Sequence, residues 1–196
     1  MRQVWHNMDY KILKRKLENA GVVFELGLTL DDINNIELRY NFSFPSDLKD
    51  FLMCGLPIGK GWINWRKDND NEIRKRLEWP FEGICYDIKH NDYWQKSWGI
   101  KPESLDECFK QLRILVNNAP KLVPVYVHRY IPDRPNEIGN PIISAHQTDI
   151  IYYGIDLEDY LKNEFFGPIN DGKLKMPTKR IDFWSDIIEG DISQKY

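Results

Sequence analysis

Cysteine is scarce and unpatterned in this chain. Cys54, Cys85 and Cys108 are odd in number, far apart and without a Cys-x-x-Cys spacing. That argues against a disulfide framework or a thiolate zinc site and suits buried thiols in a reducing cytosol. No apolar run approaches the length of about eighteen residues that a membrane-spanning helix needs, so no membrane span is expected. Met1 to Leu17 carries Lys11, Lys14, Arg15 and Lys16 but no apolar core of a signal peptide, and none is expected. A surplus of one charge is missing too. The net charge is −3 and the isoelectric point about 5.8, without the basic footprint of a dedicated nucleic-acid binder.

Glycine and proline are scattered rather than pooled, and no internal repeat is visible, so no linker divides the chain. A length of 196 residues suits one domain that buries about 70% of its unfolded surface. Seven Trp, ten Tyr and nine Phe supply large apolar side chains, and a hydrophobic content of 42% excludes a disordered chain.

Helix signals dominate both ends. Asp9 is placed to cap a helix to about Ala20, stopped by Gly21. Thr29 and Asp32 form a capping box for a helix through Leu30, Ile33 and Tyr40. Pro45 at the first helical position opens a third helix through Leu52, which Gly55-Leu56-Pro57 breaks. Gly55 to Trp65 reads as loop, Asn71 to Leu77 as a short charged helix ended by Trp79-Pro80, and Gly83 to Ile88 as a strand. Glu103 to Val116 is amphipathic and helical.

Leu122 to Ile131, Pro141 to Gln147 and Ile150 to Tyr153 read as strands. Asp156, with Asp159 at the third helical position, caps a helix to Phe166; residues 167–178 are loop, and a terminal helix lies near Asp182 to Glu189. Strands clustered between helical ends, without βαβ alternation, predict an α+β fold with a central, mostly antiparallel sheet flanked by helices.

Several patterns touch on chemistry and fall short of it. The four histidines are His6, His90, His128 and His146, and His128 or His146 with Ser144 and Asp149 would supply the residue types of a small hydrolase. No nucleophile elbow accompanies them. Asp68 to Glu72 resembles a calcium loop without its Gly and final Glu, and reads better as a helix start. Gly55 to Gly61 resembles a phosphate loop, but Lys60 is followed by Gly61 and no strand precedes it. Arg66, Lys67, Arg74, Lys75 and Arg76 interleave with Trp62, Trp65 and Trp79, while Asp68, Asp70, Glu72 and Glu78 cancel the charge. From Asp149 to Asp171 the acids Asp149, Asp156, Glu158, Asp159, Glu164 and Asp171 face one base, Lys162. Such a segment attracts a basic partner or simply complements a helix dipole.

The run Phe44-Pro45-Ser46-Asp47-Leu48-Lys49-Asp50-Phe51-Leu52, after the Leu30 to Tyr40 helix, resembles the N-terminal helix pair of the SUKH superfamily. That group includes fungal cell-wall regulators of the Smi/Knr type and many bacterial immunity proteins. Tyr126-Val-His-Arg-Tyr-Ile-Pro132 and Gln147-Thr-Asp-Ile-Ile-Tyr-Tyr-Gly154 are similar to a bacterial subgroup, and together the likeness runs from Leu28 to Phe166. Trp62 to Pro80 stands as an insertion, and Cys54 to Gly59 replaces the usual Gly-rich run.

The resemblance implies a non-enzymatic cytoplasmic immunity protein that masks a toxin, often a nuclease, by stoichiometric binding. It implies a protein partner with a basic domain, no cofactor and no metal, and a monomer or weak dimer. A regulator or adaptor of cell-wall synthesis is the alternative, the hydrolase a second one. The residues expected to meet the partner are Trp62, Trp65, His128, Arg129, Tyr130, Asp149, Tyr152, Asp156, Glu158 and Asp159, with Tyr153 beside Tyr152 as a further aromatic.

Overall fold

A computed structural model describes residues 9–167 and 179–193. His6, Asp171 and the expected loop over residues 168–178 lie outside them. The chain begins α1 (Tyr10–Asn19), β1 (Val23–Glu25), α2 (Leu30–Tyr40), α3 (Ser46–Cys54) and β2 (Leu56–Ile58). The Asp9 carboxylate accepts the amides of Lys11 and Ile12, and Thr29 and Asp32 close the expected capping box. Pro45 sits one position earlier than expected, as the residue preceding α3. The predicted loop after α3 is partly a strand, because Gly55 leaves the helix in an extended conformation and β2 pairs antiparallel with β1. Pro57 is tolerated there since the sheet has only two strands and its missing N–H breaks no further ladder.

The largest correction concerns residues 70–90. Neither a short helix ended at Pro80 nor a strand at Gly83 to Ile88 exists: α4 runs unbroken from Asp70 to His90. Its buried positions Ile73, Pro80, Ile84, Asp87 and Ile88 follow helical spacing. A helix-interior proline normally costs about 3 kcal/mol, partly through the carbonyl it leaves without a donor. Here that carbonyl belongs to Arg76, and the Tyr130 hydroxyl donates to it at 3.1 Å. Tyr130, fully buried, thus repairs α4 from the neighbouring sheet.

After a short 3-10 turn (Lys96–Trp98) come α5 (Leu105–Asn118), β3 (Leu122–Tyr126), β4 (Arg129–Pro132), β5 (Ile142–His146), β6 (Asp149–Gly154), α6 (Leu157–Phe166) and α7 (Trp184–Ser193). The single strand expected over Leu122 to Ile131 is a hairpin, turned at Val127, whose φ is +48°. The four strands form one antiparallel sheet in chain order. Alternation separates two cores. Val123, Val125, Ile131 and Ile142 join the cluster built with α1, α2, α3 and α6. Leu122, Tyr130, Ile143, Ala145, Ile150 and Tyr152 join the one built with α4, α5 and α7. The sheet is therefore covered by helices on both faces, an α+β arrangement as expected. Among the described residues no helix is long and apolar enough to cross a membrane.

Candidate partner-binding site

The turns of the β3–β4 and β5–β6 hairpins lie at the same end of the sheet, and both are tied to α4. Arg76 Nη1 donates to the Val127 carbonyl, and the Val127 amide donates to Gly61 O at 2.8 Å. Thr148 donates to Asp87 Oδ2 through its amide (2.8 Å) and its hydroxyl (2.7 Å). Gly83 is required where α4 meets the second turn, since a Cβ there would stand 2.8 Å from Gln147 Cα. Asp87 is 3% exposed and positions the turn.

At this corner His128 and His146 stack edge to face with ring centroids 6.1 Å apart. Cross-strand register sets Arg129 opposite Ser144 and His146 opposite Asp149. Arg129 Nη1 donates to Ser144 Oγ at 2.8 Å, and its guanidinium lies 3.6 Å from the Tyr153 ring centroid. Its Nε is buried without an acceptor. Among the described residues Arg76 and Arg129 are the two half-buried arginines that pair with no carboxylate, and both are here. His128 is held below its usual pKa first by burial, then by Arg129, His146 and Arg76. Asp87 and Asp149 also stand at the corner, so its charges are balanced in number, but neither pairs with Arg76 or Arg129.

An aromatic group borders it. Trp62 stacks on Phe165 (5.6 Å, 12°) and both contact Tyr126, at 4.8 and 5.3 Å. Tyr153 meets Tyr160 at 6.0 Å. Trp62, Tyr126, Tyr153 and Phe165 are half-buried, and Val127 and Ile151 beside them are exposed. Burial pushes the Tyr160 phenol up, with Glu164 adding and Arg129 opposing.

The acids of α6 are largely occupied by the fold. Asp156 caps the helix by accepting the Asp159 amide at 2.8 Å, Asp159 reaches back to the Ile155 amide at 3.4 Å, and Glu158 pairs with Lys162 at 2.5 Å. Burial raises the Asp156 pKa. Beside it Asp47, 2% exposed, accepts the amides of Leu48 and Gly139. Burial first, with Asp156 adding, pushes Asp47 up to about 6.

Trp62, His128, Arg129 and Asp149 thus come together at the corner. Trp65, Tyr130 and Tyr152 do not reach a partner's surface: Trp65 packs on Phe42 and Phe44 in the first core, Tyr130 supports α4, and the Tyr152 hydroxyl shares a 2.5 Å hydrogen bond with Ser185. The Ser144 hydroxyl meets Arg129 rather than an imidazole. Asn69 caps α4, as a helix start at Asp68 to Glu72 requires. Among the described residues no cluster of three potential metal ligands exists. Arg66 is held by Leu26 O and Gly27 O at 2.5 Å each and by Asp32. Tyr126 and Phe165 are not among the residues the sequence singles out for a partner, and Arg76 reads there only as part of the basic run beside Trp62 and Trp79. The pairing of Tyr126 with Arg129 across the hairpin, a register invisible while residues 122–131 read as one strand, is the signal that brings Tyr126 forward.

The chain matches no family model, no curated protein and no solved structure.

Proposed function

We propose that this protein is a protein-binding domain that holds its partner at the hairpin corner, and that it acts as an immunity protein masking a basic toxin domain. The observation that carries the reading is Arg129: a half-buried guanidinium with no carboxylate, set against Tyr153 and bordered by half-exposed Trp62, Tyr126 and Phe165. Unpaired, partly desolvated charge is unfavourable in the free protein, and a partner's acceptor relieves it. Trp, Tyr and Arg are also the residue types that dominate interface energetics. The partner would cover the aromatic group, offer a carbonyl or carboxylate to Arg129, and turn basic surface toward Glu158, Asp159 and Glu164 on the adjoining α6. The SUKH resemblance supports the toxin-masking role.

The test is capture of partners from lysate of the source cells by the parent protein, Arg129→Gln and an Ile100→Asp control on a 95% exposed side chain outside the corner's contacts. The expected result is a basic toxin-like domain retained by the parent and control, with binding weakened at least about tenfold by Arg129→Gln, as for a hot-spot residue. Envelope-synthesis enzymes in its place would favour the adaptor role. Equal retention by Arg129→Gln would remove the corner from the interface.

A further inference from the structure

The other stripe of α4 faces a cavity that the partner reading does not use. It holds about 320 Å³ between the end of α2, α4, α5 and the approach to β3. The corner contacts Arg76, Gly83 and Asp87 of α4, whereas the cavity is lined by Arg74, Leu77, Glu78 and Phe81, one helical face at i, i+3, i+4 and i+7.

The charge of its walls is unbalanced. Arg39, Arg74, Arg113 and Lys121 line it against a single acid, Glu78. Asp70, just outside, serves both Arg39 (3.4 Å) and Arg74 (2.6 Å), and Glu78 holds Arg113 at 2.7 Å. Among the described residues Lys121 Nζ reaches backbone alone, the carbonyls of Tyr40 (3.4 Å) and Asn41 (2.6 Å). Four cations therefore meet two carboxylates, a surplus of two positive charges around a concave space. Such walls focus potential and concentrate anions.

Apart from Tyr40, Asn41 and Asn117, the remaining lining is apolar. Leu122 and the buried Trp184 close one side, and Phe81, with Arg113 lying 3.4 Å from its ring centroid, the other. Trp184 is fixed by its Nε1 donating to Pro120 O at 2.7 Å, and Pro80 lines the wall on α4. A preformed apolar cleft with a few convergent polar groups is the usual form of a small-ligand site, and this volume stands at the small end of the range of about 300–1,000 Å³. It fits a single ring with one charged group.

We propose that this cavity binds a small molecule carrying a phosphate or carboxylate on a compact apolar body, the oxyanion meeting Arg39, Arg113 and Lys121 and the body lying against Phe81, Leu122 and Trp184. The site is independent of the partner interface.

The test is thermal unfolding of the full chain titrated with phenyl phosphate and, separately, benzoate, each against sodium chloride of matched ionic strength and against neutral benzyl alcohol. The expected result is a saturable rise in Tm with one or both anions, as ligand linkage requires, with the midpoint shifted at least about fivefold in Arg39→Gln and in Arg113→Gln. Both side chains are partly exposed (65% and 39%), so their loss leaves the fold intact. The proposal fails if neither probe exceeds its chloride control up to about 10 mM, a concentration at which a ligand-sized site registers by the same linkage. It also fails if both variants respond like the parent, or if benzyl alcohol stabilises as well as the anions. Phenyl phosphate acting without benzoate would assign a phosphate ligand, and the reverse a carboxylate.

Discussion

The two charged regions bordering the first core make a contrast. At the start of α6, Asp156, Asp159 and Glu158 have partners: two backbone amides and a lysine. At the hairpin corner, Arg129 and Arg76 donate to a hydroxyl and to carbonyls, and among the described residues no carboxylate answers them. In sequence the acidic segment stands out more, because its acids cluster around a single base, Lys162. In the fold it is the better satisfied of the two, since acids near a helix N-terminus serve the helix itself. Charge density in a sequence therefore points less reliably to an interface than charge left without a partner after folding.

Trp65 and Trp62 sharpen that contrast between residues used by the fold and residues left to a partner. Trp65→Ala empties a site 7% exposed among Tyr40, Phe42 and Phe44, and a loss of about 3–5 kcal/mol in urea unfolding is expected. A loss below 1 kcal/mol, on the order of an exposed substitution, would place Trp65 with the surface residues instead. Tyr130→Phe orphans the Arg76 carbonyl and is expected to cost about 1–3 kcal/mol. In a Pro80→Ala background the helix regains its own donor, so the same substitution is expected to cost clearly less. Additive effects in that double-mutant cycle would show that the hydroxyl does not substitute for the missing amide.

The acidic end responds to pH. The Asp47 carboxyl titrates at about 6 in the folded chain against an ordinary value of 3.8. The folded protein therefore holds a proton that the unfolded chain has released between about pH 4 and 6, and stability falls as pH rises through that window, by a contribution of about 3 kcal/mol. Asp156, raised in the same direction, adds to the slope. Denaturation midpoints for the parent and Asp47→Asn across pH 4 to 7 are expected to show a shallower fall in the variant; parallel curves would remove Asp47 as a source. The smallest effect belongs to Glu158→Gln, which breaks a partly exposed i,i+4 pair and is expected to cost only about 0.3–0.5 kcal/mol. A cost several times larger would mean that the acids of α6 matter more to the fold than their geometry indicates.

Local signals were legible wherever a short stretch satisfies itself. The caps expected at Asp9, Thr29–Asp32 and Asp156 are formed, and α1, α2, α4, α5 and α6 begin within a residue or two of where the pattern places them. The misreading of α4 had one cause: Pro80 and Gly83 are helix breakers by intrinsic preference, and their tolerance depends on Tyr130 and Gln147, some 50 and 64 positions along the chain. The missed hairpin had another, since Val127 takes a positive φ that valine disfavours while its amide and carbonyl are held by Gly61 and Arg76.

The candidate corner divides in the same way. His128, Arg129 and Asp149 were visible as residue types on neighbouring β-runs, but Trp62 and Phe165 meet only because β2, β3 and α6 converge on one face of the sheet. By itself the sequence determined the fold class, most of the helix starts and the supply of aromatic and charged side chains, because propensity, capping and periodicity act within a few residues. Tertiary structure alone decided which of those side chains were already satisfied. Burial and pairing are properties of contacts between distant segments, and it is those contacts that leave Arg129 without a counter-charge and the cavity beside α4 with more cations than acids.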